Sequence, residues 1–370
     1  MKLQVTQENL NKALGIVARV ANARGTLPIL ANVLIKTVDN RLSISATNLD
    51  IAITQHIGAK VAEEGAITVP ARLMQDFINS LPSGVIELKL EEHKLHITTD
   101  QYQSVVNGVL ADDFPVMPAI QSREAGNEQS RSWTINAAIL KKGLQQVIMA
   151  ASSDESRPVL TGVLLQTTEG QLYAAATDSY RLAEKNLGKN SEDVRLLIPA
   201  TAIQDLLRIL GDYDGAVMVT HDDQQILFQA NDVDLVARLI EGKYPDYRKL
   251  IPSQFAVEAR VKRADLVNVT KVSSLFARES AGSVTINVDD AKNELSIRSV
   301  ASQLGENTAA ASGTITGSGS ITLNSRYLLD ALHAFGGDEV SFCFNGKLEP
   351  TLLRDPGNDD YSHIIMPLKS

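Results

Sequence analysis

Apolar and polar positions along this chain follow two periods, and the two periods recur together three times. "QENLNKALGIVARVA" (from Gln7), "AAILKKGLQQVIMAA" (from Ala137) and "KRADLVNVTKVSSLFA" (from Lys262) place apolar residues at three- and four-residue intervals, which predicts amphipathic helices. Segments of period two follow each, separated by turn dipeptides such as Asp39-Asn40 and Glu169-Gly170, which predicts antiparallel strands. A short strand then runs into a second helix at "VPARLMQDF", with Pro70, and in the next copy Pro199, near the amino end. Closing strands such as "VIELKLEEHKLHITT" (from Val85) and "AVMVTHDDQQILFQA" (from Ala216) complete a unit of α+β class, two helices on a largely antiparallel sheet set.

The units align residue by residue. "LPILANVLIKTVDNRLSISATNLDIAI" (from Leu27) lies over "RPVLTGVLLQTTEGQLYAAATDSYRLA" (from Arg157), so that Pro28 meets Pro158, Leu42 meets Leu172 and Thr47 meets Thr177. "ITVPARLMQDFINSL", "LLIPATAIQDLLRIL" and "SITLNSRYLLDALHAF" bring Asp76, Asp205 and Asp330 into register, and "ADDFP" at 111–115 answers "EGKYP" at 241–245. The third copy is the most diverged, with "SVTINVDDAKNELSIRSVAS" standing where the strand, turn and strand of the others stood. Three domains are expected, at residues 1–120, 129–250 and 251–370. Units of about 120 residues exceed the periods of solenoids, and periodicity alone leaves an open array and a closed ring both possible.

Composition narrows the class. With 370 residues, 44% hydrophobic and 21% charged, the chain has material for several cores, and no run approaches the roughly 18 apolar residues that cross a bilayer. "MKLQVTQENLNKAL" lacks the apolar core and cleavage site of a secretory signal, and the single Cys343 permits no internal disulfide, so the cytoplasm is the expected compartment. Cys343, within "VSFCFNG", reads as a small buried hydrophobe in a strand.

The net charge of −9 argues against nucleic acid until its distribution is considered. The first helices and their following turns carry Lys12, Arg19, Arg24, Lys141, Lys142, Arg157, Lys262, Arg263, Lys271 and Arg278 against Glu8, Asp154, Glu155, Asp265 and Glu279; the second helices add Arg72, Arg208 and Arg326. The acidic excess sits in strands and loops such as "VAEEG", "NSEDV", "THDD" and "GNDD". Any single lysine is adequately explained as a solvated helix face, but the segregation over three copies points to an anionic partner facing the helices. Aromatic content of 5% argues against a base-stacking platform for single strands.

Catalytic constellations are missing from the sequence. His93 and His96 are the tightest histidine pair, and three residues apart in a strand they point to opposite faces. The glycine-rich "GTITGSGS" (313–320) lacks the Gly-Lys-Ser/Thr of a phosphate loop and reads as a mobile hairpin turn. No Gly-x-Ser-x-Gly elbow occurs, and Asp178 with Arg181 has no partner base. No catalytic residue, metal or cofactor is expected. A hydrolase or transferase with its site hidden in loops remains the rival class.

"TLPIL", "TVPAR", "ADDFP", "ATDSYRLA", "YPDYRKLIP" and the terminal "IIMPL" together resemble, in order and over the whole chain, the bacterial sliding clamp family, the beta subunit of DNA polymerase III. The resemblance implies a head-to-tail homodimer: a closed ring with helices inside and antiparallel sheets outside, encircling duplex DNA without sequence preference and doing no chemistry. It implies an apolar cleft for short linear peptides of the polymerase III alpha subunit, the clamp loader, other polymerases and mismatch-repair or ligase proteins. The matching positions are Leu160, Thr177, Ser179, Tyr180, Arg181, Leu182, Pro245, Lys249, Leu250, Asn324, Tyr327, Ile364, Ile365, Met366, Pro367 and Leu368. Arg181 and Tyr180 would orient the peptide and supply a movable wall.

The first repeat has Leu49, Asp50 and Ile51 where the second has Ser179, Tyr180 and Arg181, so one copy alone should carry the cleft. Arg24 and Arg72 fall on the family's DNA-contact positions, and Lys141, Lys142, Arg208, Lys262 and Lys271 join them from the basic helices. The loop "SSDESRP" departs by placing Asp154 and Glu155 where polar or aromatic DNA-facing residues are common, and Ser179-Tyr180 stands where Gly-His is common. Val106, Leu275 and Phe276 match the apolar subunit-interface positions. A clamp-like paralogue serving repair or resistance shares all of these features.

Overall fold

The computed structural model describes residues 1–21, 27–117, 120, 130–301 and 305–368. Six helices of eight or more residues occur among them: α1 (Gln7–Val17), α2 (Ala71–Ser80), α3 (Ala137–Val147), α4 (Ala200–Leu210), α5 (Arg263–Phe276) and α6 (Ser325–Ala334). They fall two to a repeat, as the periodicity predicts. Pro70 and Pro199 immediately precede α2 and α4, where a fixed φ and a missing N–H cost the helix nothing. Thr6 caps α1 by accepting from Asn9 N, and Asn324 caps α6 by accepting from Arg326 N and Tyr327 N.

Two compact units result: Met1–Ala138 with Thr201–Leu239, and Ile139–Ala200 with Ile240–Ser370. The central repeat is thus divided, because its two halves pair with different neighbours. In the first unit, an eight-stranded antiparallel sheet runs Arg131–Asn136, Ala216–His221, Gln225–Ala230, Val233–Arg238, Ile51–Gly58, Arg41–Thr47, Asn32–Val38, Ala66–Pro70. A five-stranded sheet runs Lys60–Glu63, Lys2–Thr6, Val85–Glu91, Lys94–Thr98, Gln103–Asn107. α1 packs against α2 and the strands Arg41–Thr47 and Ile51–Gly58, burying Leu10, Ala13, Leu14 and Val17.

In the second unit a twelve-stranded sheet runs Arg195–Pro199, Gly162–Thr168, Gln171–Thr177, Arg181–Lys189, Asn358–Ile365, Thr351–Asp355, Glu339–Phe344, Val257–Lys262, Gly305–Thr316, Glu294–Ala301, Ser283–Asp289, Gly319–Asn324. α5 packs on α6 and on Gly305–Thr316. Tight turns match the dipeptides read from sequence: Asp39 and Asn40 take φ +49° and +59°, and Glu169 and Gly170 take +52° and +74°, the paired positive φ of a twist-compatible hairpin turn.

One junction is made twice. The last strand of the central repeat, Val233–Arg238, pairs with the fourth strand of the first repeat, Ile51–Gly58. The last strand of the third repeat, Asn358–Ile365, pairs with the fourth strand of the central repeat, Arg181–Lys189. The corresponding strands left over are Gln103–Asn107, which ends its sheet, and Gly305–Thr316, which bonds Val257–Lys262 only through Gly313–Thr316. Each leaves an edge unpaired among the described residues.

Two local expectations are corrected. His93 lies in the turn between Val85–Glu91 and Lys94–Thr98, not in a strand, because Glu92 takes φ +53° and reverses the chain. The stretch Gly313–Ser320 is mostly strand, with its turn at Gly317 (φ +75°). Val106 is buried at 7% exposure, whereas Val105 on the opposite strand face is 52% exposed. Alternation along the strand puts one of the two inside, and Val106 is used in its own core.

Candidate functional site

The expected cleft residues fall in the second unit, around the turn that joins Gln171–Thr177 to Arg181–Lys189. Asp178 Oδ1 accepts from the backbone N–H groups of Tyr180 and Arg181, both at 2.9 Å. Thr177 Oγ1 donates to Arg181 O (2.6 Å) and accepts from Ser179 N (3.2 Å). Ser179 sits at φ +78°, a strained position held by these bonds and by Arg157 Nη1, which donates to Ser179 Oγ at 3.1 Å. The result presents Tyr180, 59% exposed, at the tip of the turn.

Below the turn lies an apolar floor. Leu182, Leu164, Ala175, Leu197, Tyr244, Tyr247, Cys343, Leu352 and Ile364 form one buried cluster, and Val159, Ile240, Ile251, Phe255 and Met366 pack against it half-buried. Burial pushes the Cys343 thiol up to about 12, which keeps it an unreactive hydrophobe. The strand Asn358–Ile365 ends here, and its continuation crosses the turn: Met366 N donates to Tyr180 O (2.8 Å) and Leu368 N to Thr322 O (2.9 Å). Met366, Pro367 and Leu368 are accordingly half-buried.

A second wall comes from residues 241–250. Pro245, Lys249 and Leu250 are exposed, and Tyr244 and Tyr247 are buried beneath them. Tyr247 Oη donates to Glu184 Oε2, which also accepts from Arg248 Nε at 3.0 Å; the Arg248 guanidinium lies 4.1 Å from the Tyr173 ring centroid. Burial, reinforced by the Glu184 charge, raises the Tyr247 phenol well above its ordinary value. Lys249 pairs with Asp246 at 2.7 Å; that hydrogen bond raises the ammonium and lowers the carboxyl.

The third wall is α6. Its Tyr327 ring lies 4.5 Å from the Arg181 guanidinium carbon. Arg181 Nε donates to Asp178 Oδ2 (3.1 Å) and Nη1 to Asp330 Oδ2 (2.6 Å), leaving the side chain 12% exposed.

Several expected site residues therefore stand together, and they sort by burial. Leu160, Thr177, Leu182, Ile364 and Ile365 are buried rather than accessible surface, with Leu182 and Ile364 in the apolar floor; Asn324 is spent on the α6 cap; Arg181 is enclosed by two carboxylates and a ring. Tyr180, Pro245, Lys249 and Leu250 are exposed. Sequence reading missed Asp178, Glu184, Arg248 and Asp330 as the groups that hold the walls. For Asp330 a signal existed, its register with Asp76 and Asp205, but nothing local names its partner.

The basic positions are distributed over both units. Arg72 and Arg208 are exposed on α2 and α4 of the first, with Arg208 bonded to Asp205 at 2.7 Å; Lys142, Lys262 and Lys271 are exposed in the second, and Lys141 is half-buried. Arg24 lies outside the described residues. On α5, Leu275 is 51% exposed and Phe276 half-buried, beside Val272 at 44%. In the loop 152–158, Asp154 is exposed, and its Oδ1 accepts from Ser156 N at 3.0 Å. Among the described residues no group of three His, Cys, Asp or Glu is placed to hold a metal ion, and no helix is long and apolar enough to cross a membrane.

A threefold α+β repeat with an exposed turn braced by ion pairs over an apolar cluster has the form of a binding scaffold. Comparison with known proteins agrees and is specific. Family models described as the N-terminal, central and C-terminal domains of the DNA polymerase III beta subunit match residues 1–118, 134–246 and 248–369. The beta sliding clamp of Synechococcus elongatus is 31% identical over 382 residues, covering 100% of this chain and 99% of its own; that of Staphylococcus epidermidis is 27% identical over 383 residues, covering 100% of both. The sliding clamp of Bacillus subtilis superposes with a TM-score of 0.94 at 27% identity, covering 100% of this chain and 99% of its own. That of Pseudomonas aeruginosa bound to griselimycin superposes at 0.93 and 26% identity, covering 100% of both. The chain belongs to the DNA polymerase III beta subunit family, the beta sliding clamps. It is a non-catalytic processivity clamp of DNA replication with the three-domain clamp fold.

Proposed function

We propose that the chain closes into a ring as a head-to-tail homodimer, encircles duplex DNA without reading its sequence, and tethers partner proteins through the cleft in its second unit. The observation that carries this reading is the strand junction made twice and left unmade once. Within the chain, the last strand of one repeat pairs with the fourth strand of the repeat before it. The last strand of the first repeat and the fourth strand of the third are the remaining pair, each with an open edge. Two copies satisfy both edges by making the same junction between chains, and a heterologous contact that closes after two subunits gives a ring rather than a filament. In this reading the domains are 1–120, 129–250 and 251–370, and Leu275 and Phe276 lie at the contact, with Val105 as the exposed residue beside the expected Val106.

The exposed cations on the helices and at their starts, Arg72, Lys142, Arg208, Lys262 and Lys271, with Lys141, would face the duplex, and Arg24 is a further proposed DNA contact. Phosphate contacts of this kind are sequence-independent and permit sliding. The acidic remainder of a chain at −9 opposes binding of DNA elsewhere. Extended peptides from the polymerase III alpha subunit, the clamp loader, other polymerases and mismatch-repair or ligase proteins would seat Leu or Phe anchors over Met366, Leu250 and Tyr180, with main-chain groups orienting them. Sliding clamps of Pseudomonas aeruginosa and Bartonella birtlesii bound to griselimycin support the reading that proteins of this fold accept a ligand. The compartment is the cytoplasm.

Topology gives the test. Protein loaded on nicked circular plasmid should be retained in moderate salt and lost when the circle is cut. Equal retention on circular and linear DNA, or none in the presence of a loader, would sink the ring.

A further inference from the structure

We infer that Asp330, which lines no part of the cleft surface expected from sequence, is the residue that fixes the cleft's geometry, acting through Arg181 on Tyr327 and on the Tyr180 turn. The inference rests on the peptide-cleft reading and deepens it by naming what sets affinity.

The tie is continuous. Asp330 and Tyr327 are three residues apart on α6 and so share a face. Arg181 meets both: Nη1 bonds Asp330 Oδ2 at 2.6 Å and the guanidinium lies 4.5 Å from the Tyr327 centroid. Its Nε bonds Asp178 Oδ2 at 3.1 Å, while Asp178 Oδ1 holds the backbone N–H groups of Tyr180 and Arg181. One guanidinium therefore joins the α6 wall to the turn that carries Tyr180. It is 12% exposed and balanced by two carboxylates, so it has little capacity left to pair with an incoming peptide. A planar fork held on two sides with a ring on its face is a spacer of fixed geometry.

The first junction shows the arrangement without the tie. Asp205 occupies the same position on α4, but the residue in the place of Arg181 is Ile51, and Asp205 bonds Arg208 within its own helix at 2.7 Å. The aspartate on α6 meets an arginine at the turn, and the one on α4 does not.

A wall held in its bound geometry spares the peptide the cost of ordering it. If release of the tie leaves the competent arrangement populated about one-tenth of the time, apparent affinity falls about tenfold. The test uses the full-length protein and a fluorescein-labelled extended hexapeptide with Leu and Phe anchors. Anisotropy would give its affinity for the unsubstituted chain, Asp330→Asn, Arg181→Gln and the double variant. Fluorotyrosine NMR of the peptide-free protein, with the Tyr327 signal assigned by Tyr327→Phe, reads the wall directly.

The expected result is a loss of about tenfold for each single variant, no further loss in the double, and a shifted or broadened Tyr327 signal in Asp330→Asn. Asp330→Glu, which keeps the carboxylate, should recover most of the affinity, and it carries the comparison if Asp330→Asn melts early. An unchanged Tyr327 signal with unchanged affinity in Asp330→Asn, or losses that multiply in the double variant, would overturn the inference alone. Failure of the unsubstituted chain to bind the probe would overturn the cleft reading, and the affinity role with it.

Discussion

The two junctions inside this chain share a backbone and differ in what they carry on it. At the first, Thr47 Oγ1 donates to Ile51 O and accepts from Leu49 N, Asn48 Oδ1 accepts from Asp50 N and Ile51 N, and Leu49 takes φ +81°. The second reproduces each bond with Thr177, Asp178, Ser179, Tyr180 and Arg181. Even the crossing strand repeats, with Arg238 N on Asp50 O at 2.9 Å and Met366 N on Tyr180 O at 2.8 Å. The strained turn is thus a property of the repeat and not of a binding site. What separates the junctions is their side chains, among them Asp50 against Tyr180, Ile51 against Arg181, Ala52 against Leu182, Leu235 against His363 and Arg238 against Met366.

The largest expected effect comes from the floor. Leu182→Ala writes the first junction's Ala52 into the second, where Leu182 is 4% exposed within the apolar cluster. It should lower stability by about 2 to 5 kcal/mol in chemical denaturation. This is why Leu182 is a poor probe of peptide contact, since its loss damages the cluster itself.

Met366→Ala is the cleaner probe. Met366 is half-buried at the rim of the cluster, and its loss should weaken an apolar-anchored peptide by about 1 to 3 kcal/mol with little change in melting temperature. Met366→Arg, which copies Arg238, should do at least as much. Peptide anisotropy decides it, and unchanged binding would remove Met366 from the site.

Acid should separate the junctions next. His363 is buried in the second, bonded through Nδ1 to Tyr361 Oη, and its pKa is pushed down to about 3, first by burial and then by the Arg181 charge. Above the unfolded value of 6.5 neither state holds the extra proton and stability is full. Between there and about 3 the unfolded chain binds a proton that the folded chain does not. About 2 kcal/mol should be lost from pH 7 to pH 5 on this account. His363→Leu, the residue type of the first junction, should flatten that loss in denaturation curves at the two pH values.

The smallest effect should be equal on both sides. Thr47→Val and Thr177→Val each remove the hydroxyl that stitches the turn, at about 1 kcal/mol apiece. A markedly larger cost at Thr177 would mean that the second turn depends on its hydroxyl in a way the first does not.

How much of this was legible follows from range along the chain. Helices and hairpins depend on neighbours three, four or two residues away, so α1, α3 and α5 and the Asp39-Asn40 turn could be read directly from the sequence. His93 misleads because the run "KLEEHKL" holds no Gly, Pro or Asn, and the reversal is made by Glu92 at positive φ. Matching Val106 to an interface position does not fix which strand face points inward, and Val106 is buried within its own chain. The Arg181 to Asp330 bond spans 149 residues, and no periodicity connects its ends; only the repeat register, which set Asp330 beside Asp205, marked the position. Family motifs marked the residues proposed for the cleft, while their division into buried, capping and exposed positions came only with packing.

Hydrogen exchange of the full chain with and without saturating labelled hexapeptide tests most directly that one junction, and not its twin, is the docking site. The expected result is slowed exchange at 177–182, 244–250 and 364–368, with 47–52 and 236–240 unchanged. Equal protection at both junctions, or protection at the first alone, would contradict it.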